Sequence, residues 1–237
     1  KTYFSFCKER DVIRNYSQAE ELLGLTRLVF IRDPIDRFLS GFVNKCILKG
    51  LNETVEYCFD CHSDLNCFVE AFREELWTIY ERSGRQRSPI GYHLAPLTWN
   101  CNFKDHLHDY IFLRHANGTS GVQFMAMELY RILERAGVPK SQLEDIKNAV
   151  LGRPDDLLEK LKLHHLALSK IDAFYPNSRV EMICEIPVGK SPHSTSSSID
   201  RAEAERQLYG NKTLLKTVIE LYYYDFLIFG YSIPSLE

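Results

Sequence analysis

The stretch "LVFIRDPIDRFLSGF" (residues 28–42) decides the fold of this chain. It opens with the unbroken apolar run "LVFI", which is typical of a central strand covered on both faces. Asp33 then suits the position that caps a helix, and Pro34 suits the first helical position. Ile35 and Phe38 follow at helical spacing. The stretch therefore predicts a strand that passes directly into an amphipathic helix.

Two polar residues of this stretch are not explained by that pattern. Arg32 ends the apolar strand, and Ser40 lies eight positions later. Open α/β sheets bind ligands at the carboxyl ends of their strands, and free N–H groups at a helix start attract anions. Arg32 offers a charged planar fork suited to phosphate, and Ser40 offers a hydroxyl. Arg37 adds a second cation to this corner, or it pairs with Asp33 at i,i+4 instead. The alternative for the whole stretch is an ordinary capped helix with a surface arginine.

The rest of the chain predicts helices around a small parallel sheet. The run "DYIFLRH" (residues 109–115) predicts a second buried strand, and several longer segments have helical spacing. The C-terminal segment predicts a long helix broken at Gly210. This order predicts an α/β fold that is rich in helix, with a central parallel sheet. We see no repeat and no boundary, so we expect one domain over residues 1–237.

The overall charge gives no indication of a nucleic-acid or membrane-surface partner, because the net charge is -3. An anionic partner would need a local basic site. The chain has no apolar run near the ~20 residues that span a bilayer. Its start, "KTYFSFCKERDV", has no signal-peptide apolar region and no initiator methionine. We therefore expect a piece of a longer protein.

Five of the seven cysteines lie between positions 46 and 101, which leaves two interpretations. Cys58, Cys61 and Cys67, with Cys101 or His62, could bind zinc. Alternatively, these cysteines form disulfides in an oxidising compartment.

Glycosylation sequons favour disulfides over zinc. Sequons begin at Asn15, Asn52, Asn117 and Asn211, which is more than chance predicts. They indicate a secretory lumen, where disulfides persist. We therefore predict a disulfide-cross-linked chain without a bound metal.

Three segments together resemble a known family. "FIRDPIDRFLSGF" is similar to the 3′-phosphate motif of sulfotransferases, R-[DE]-P-x-x-R-x-x-S-x-[YF], and most closely to the Golgi carbohydrate sulfotransferases of the chondroitin, dermatan and HNK-1 group. "YHLAPLTWNCNF" resembles the family's His-x-x-Pro-Gln segment, although Leu97 replaces the glutamine. The C-terminal helix resembles the family's ending in Tyr-x-x-Asp-Phe. The resemblance implies a P-loop-like three-layer fold and sulfuryl transfer from 3′-phosphoadenosine 5′-phosphosulfate (PAPS) to a glycan hydroxyl.

The resemblance also implies where the donor binds. Arg32 and Ser40 would hold its 3′-phosphate. The loop "GKSPHSTSSS" falls where the family closes a loop over the nucleotide, although a serine-rich stretch is often merely a flexible loop. The candidates in this loop are Lys190, His193, Thr195 and Ser196.

Catalysis and acceptor binding have candidates of their own. A base must take the proton of the acceptor hydroxyl, and His93 matches the family's histidine; the alternative is a structural histidine. Arg82, Arg85 and Arg87 form a basic loop that suits an acidic or sulfated glycan, or that is simply solvated.

One family element is not found in the sequence, namely the lysine-containing loop that binds the 5′-phosphosulfate. We expect it upstream of Lys1, together with a signal anchor that would place the protein in the Golgi lumen; the alternative is secretion. Two other functions stay open. A secreted glycan-binding module would lack the upstream lysine, and a nucleotide kinase would have a GxxxxGK[ST] loop there.

Overall fold

The computed structural model describes residues 26–48, 57–81, 88–100, 103–115, 118–151, 181–182 and 198–236. Two compact units are present: a sheet unit, Lys1–Ile31 with Cys101–Ser191, and a helical unit, Arg32–Asn100 with Pro192–Glu237. The strands are β1 (Arg27–Ile31), β2 (Ile111–Arg114) and β3 (Glu181–Met182). The helices are α1 (Pro34–Phe42), α2 (Leu65–Glu81), α3 (Pro89–Leu94), α4 (Phe103–His106), α5 (Gly118–Arg135), α6 (Lys140–Leu151), α7 (Ile199–Gly210), α8 (Lys212–Leu221) and α9 (Tyr223–Phe229).

In the sheet unit, β1 is the middle strand of a parallel sheet with the order β2-β1-β3. Leu28 pairs with Ile111, which sets the register of β1 against β2. A small core joins the sheet to α5 and α6, and includes Leu28, Leu113, Leu133 and Leu143. The strand predicted at 109–115 is present as β2, but the prediction that it is buried holds only for Leu113, because Ile111 is 43% exposed. A helix-rich α/β fold with a parallel sheet is thereby confirmed.

The helical unit is built on the apolar face of α1. Ile35, Phe38 and Phe42 are all buried on that face, as their spacing predicts. They pack against α2, where the Phe42 and Phe68 rings lie 5.1 Å apart between centroids. Burying side chains of this size contributes about 1.5–3 kcal/mol each. This packing fixes the orientation of α1 and so of the polar residues on its other face.

Two disulfides cross-link the segment between α1 and α2. Cys46 is bonded to Cys58, and Cys61 to Cys67. Cys46 lies on the π-helical continuation of α1, Val43–Leu48. The zinc interpretation is wrong for Cys58, Cys61 and Cys67, because a disulfide sulfur is no longer a thiolate ligand.

The C-terminal helices confirm the predicted break at Gly210. α7 ends there, and Asn211 caps α8 by accepting a 3.1 Å hydrogen bond from the backbone N–H of Leu214. The sequence did not predict a second interruption at Tyr222, after which α9 begins at Tyr223. Within the described ranges, no helix has the length and apolar character needed to cross a membrane.

Candidate functional site

The start of α1 is capped by its own residues, as the sequence predicts. The Asp33 carboxylate accepts a 2.9 Å hydrogen bond from the backbone N–H of Asp36, and Pro34 occupies the first turn. The Asp33 carboxylate therefore occupies one of the backbone N–H groups that the sequence analysis expected to be available to a bound anion. Recognition of an anion here therefore depends on side chains more than on the helix start.

Arg32 and Ser40 do come together. Arg32 Nη2 donates a 2.6 Å hydrogen bond to Ser40 Oγ, and Arg32 Nε donates to the carboxylate of Asp36. The Arg32 side chain keeps 26% of its surface exposed, so it is held in place yet open to solvent. The spacing of Arg32 and Ser40 and their match to the family motif predicted that the two residues share one site. The structure shows that their side chains are hydrogen-bonded to each other.

Arg201, in the first turn of α7, completes the group, and the sequence analysis did not identify it. Its Nη2 donates a 3.0 Å hydrogen bond to the other carboxylate oxygen of Asp36. One carboxylate is therefore shared by two guanidinium groups. We call Arg32, Asp36, Ser40 and Arg201 the guanidinium cluster. The sequence signal was weak, because "DRAEAERQ" resembles an ordinary solvated helix.

The guanidinium of Arg37 bonds to backbone carbonyls, and not to Asp33, the partner that the sequence left open as one possibility. Its guanidinium donates to the backbone carbonyls of His93, at 2.9 Å, and of Ala95, at 2.8 Å. These carbonyls lie at the end of α3, whose C-terminal groups lack partners within the helix. Arg37 therefore ties the His93 segment to α1.

The C-terminal helices hold the same segment from another side. The Tyr222 hydroxyl donates a 2.6 Å hydrogen bond to the carbonyl of Leu94. Asp225 accepts from the backbone N–H groups of Leu97, at 2.7 Å, and Thr98, at 2.9 Å. Burial, reinforced by Asp225 and opposed by Arg37, raises the pKa of Tyr222 above its ordinary value. The His93 segment and the C-terminal helices, which the family resemblance identified as two separate motifs, are therefore in direct contact.

The other predicted site residues divide into two groups. His93 is exposed at the end of α3, with its ring centroid 6.1 Å from that of Tyr57. The rest lie outside the described residues: Arg82, Arg85, Arg87, Lys190, His193, Thr195 and Ser196. Among the residues that the structure describes, no three His, Cys, Asp or Glu side chains are placed to hold a metal ion.

Comparison with known proteins gives one family. A sequence model with the description "Sulfotransferase family" matches residues 3–232. No solved structure matches the chain. The match favours the sulfotransferase interpretation over the nucleotide kinase alternative.

Several similar proteins come from Caenorhabditis elegans, and two of them align over more than nine-tenths of this chain. A protein named carbohydrate sulfotransferase chst-1 is 25% identical over 236 residues, which cover 96% of this chain and 60% of that protein. An uncharacterized protein is 26% identical over 217 residues, which cover 92% of this chain and 50% of that protein. The chain thus spans between half and 60% of the length of these curated relatives.

Proposed function

Because the chain belongs to the sulfotransferase family, we propose that its protein transfers a sulfuryl group from PAPS to a hydroxyl of a glycan. The similarity to a protein named carbohydrate sulfotransferase supports the glycan acceptor. The single observation that carries the proposal is the 2.6 Å hydrogen bond between Arg32 and Ser40. It puts a permanent cation from the link between β1 and α1 beside a hydroxyl of α1, in the residues that match the family's 3′-phosphate motif.

The residues of this group suit a phosphate. A guanidinium presents five N–H donors in a planar fork, and a phosphate dianion accepts several of them at once. Arg32 already donates to one oxyanion, the carboxylate of Asp36, so its geometry for such a bond is set before a ligand arrives. Before the donor binds, the Asp36 carboxylate would accept the hydrogen bond that the phosphate later accepts, and would keep the Arg32 side chain extended towards Ser40. A prearranged donor loses less conformational entropy on binding than a mobile one.

PAPS supplies the activated sulfuryl group when it is bound. Arg32 and Ser40 hold the 3′-phosphate and so fix the donor's position along α1. His93 takes the proton of the acceptor hydroxyl as the new sulfur–oxygen bond forms and the bond to the leaving phosphate breaks. Arg37 keeps the His93 backbone tied to α1, which gives base and donor a common support.

The remaining parts of the proposal rest on the family resemblance. We propose a P-loop-like three-layer fold within one domain, and a covering loop with Lys190, His193, Thr195 and Ser196 over the nucleotide. Arg82, Arg85 and Arg87 would meet acidic groups of the glycan. The sequons and the two disulfides support a lumen of the secretory pathway, as in the Golgi.

The test is binding of 3′-phosphoadenosine 5′-phosphate by isothermal titration calorimetry, with adenosine 5′-phosphate as the ligand that lacks the 3′-phosphate. We expect the wild type to prefer the bisphosphate, and Arg32→Ala to lose about 10- to 100-fold in its affinity, the effect of one or two charged hydrogen bonds. Arg206→Ala is the matched control, because Arg206 is 73% exposed and pairs with Glu203. Equal affinity of wild type and Arg32→Ala would remove the assignment. Glycan binding without nucleotide binding would support the non-enzymatic module.

A further inference from the structure

Among the described residues of the helical unit, the guanidinium of Arg201 has the most buried donors without a hydrogen-bond partner. The Arg201 side chain is only 9% exposed. Its Nε and Nη1 are both buried without a hydrogen-bond partner, while Nη2 donates to Asp36. A buried donor without a partner destabilises the folded state, and more so when it is charged. A packed helix therefore carries a cation that only part of its surroundings satisfies.

The nearby carboxylates do not remove this deficit. Glu205 approaches Nη1 at 3.9 Å, which is too long for a hydrogen bond, and its side chain is 52% exposed. Asp36 divides its two oxygens between Arg201 and Arg32. The Asp33 carboxylate is engaged at the start of α1. The guanidinium groups of Arg32 and Arg201 thus share the carboxylate of Asp36, and Nε and Nη1 of Arg201 still have no hydrogen-bond acceptor.

We propose that Arg201 is a second binding residue for the donor's 3′-phosphate, so that Arg32 and Arg201 clamp one phosphate between them. This inference rests on the proposed function and extends it by a residue from the far end of the chain. Because both guanidinium groups already share Asp36, one further oxyanion can reach both. A phosphate dianion has the acceptors that Nε and Nη1 of Arg201 lack.

Phosphate binding by Arg201 would also stabilise the start of α7. Arg201 lies three residues after Ser198, which caps α7 through a 3.1 Å hydrogen bond to the Arg201 backbone N–H. A phosphate bound by Arg201 would therefore be attached directly to the first turn of α7, immediately after the serine-rich stretch of sequence. Donor binding would stabilise the helical unit through two segments that are 165 residues apart.

The experiment compares Arg201→Gln with Arg206→Gln. Arg206 lies on the same helix, but it is exposed and paired with Glu203 at 2.9 and 2.6 Å. Calorimetry measures the affinities for 3′-phosphoadenosine 5′-phosphate and for adenosine 5′-phosphate. Their ratio measures how strongly the protein discriminates in favour of the ligand with a 3′-phosphate. We expect Arg201→Gln to reduce that ratio by about 10-fold or more, as the loss of a charged hydrogen bond predicts. Arg206→Gln should leave the ratio at the wild-type value.

A merely structural role for Arg201 predicts a different result, in which both affinities fall together or neither changes. That result would overturn the inference. Should Arg201→Gln fail to fold, Arg201→Lys gives the same comparison, because lysine keeps the charge but has neither Nε nor a planar fork. Loss of discrimination in Arg32→Ala together with full discrimination in both Arg201 variants would overturn this inference and leave the proposed function standing. A wild type without discrimination would overturn both.

Discussion

Replacing Asp225 by asparagine tests how the C-terminal helices support the His93 segment. The carboxylate is 2% exposed, and it accepts from Leu97 N–H, Thr98 N–H and the Thr98 hydroxyl at 2.7, 2.9 and 2.7 Å. An asparagine of the same shape has one acceptor oxygen, and its amide nitrogen would face a backbone N–H. At least one hydrogen bond to a charged group is lost, and one donor is left buried without a partner.

The expected cost follows from those losses. A hydrogen bond to a charged group contributes about 1.5–3 kcal/mol, and an orphaned buried donor costs about 1–3 kcal/mol. Because the two overlap, we expect Asp225→Asn to lower the free energy of unfolding by about 2–4 kcal/mol. Asp225→Ala should cost at least as much, since it removes every acceptor.

Urea unfolding with intact disulfides measures this cost, through a lower midpoint at unchanged slope. Glu220→Gln is the matched acidic control: Glu220 is 64% exposed and lies 3.7 Å from Lys216, so its loss should change stability by less than about 1 kcal/mol. The reasoning is refuted if Asp225→Asn unfolds at the same urea concentration as the wild type.

Further predictions concern α1 and Tyr222. Gly41→Ala places a methyl group that overlaps Leu94 Cδ2 and lies 3.0 Å from Leu94 Cγ, in a core where Leu94 is 1% exposed. We expect a net loss of about 1–2 kcal/mol, since overpacking outweighs the gain in helix propensity, whereas Gly210→Ala meets nothing within 4 Å and should not destabilise; equal melting temperatures for the two variants would contradict this. Tyr222→Phe removes the hydrogen bond to Leu94 and should cost about 1 kcal/mol in urea unfolding at neutral pH. Because the folded pKa of Tyr222 is raised, its stabilisation is complete below the unfolded value near 10 and falls as the pH rises above it. The wild type should therefore lose stability faster than Tyr222→Phe between about pH 9 and 11, and parallel losses would show that Tyr222 does not cause the decline.

Local patterns predicted the local features of this fold. Asp33 and Pro34 cap α1 as their identities require, and the apolar spacing located the buried face of α1. The break at Gly210 followed from the same kind of rule. These features depend on residues within a few positions of one another, so the sequence contains what determines them.

The features that were missed depend on residues far apart in the chain. Arg201 and Arg206 look equivalent in the sequence, yet one is buried against Asp36 and the other is in solvent. Asp225 meets Leu97 across 128 positions, and no local pattern specifies that pairing. Arg37 had a plausible partner at helical spacing, but the carbonyls at the end of α3 compete for it successfully. Tertiary packing decides each of these cases.

The most direct test of the central claim is a phosphorus NMR titration of bound 3′-phosphoadenosine 5′-phosphate. A guanidinium beside a phosphate favours the dianion, so the pKa of the 3′-phosphate should fall below its value in the free ligand, which for a phosphate monoester lies near 6. The 5′-phosphate of the same molecule is the internal reference. We predict that Arg32→Ala restores the 3′-phosphate pKa towards the free value and leaves the 5′-phosphate pKa unchanged. An unshifted 3′-phosphate in the wild type, or a shift that Arg32→Ala leaves at its full wild-type size, would contradict the account.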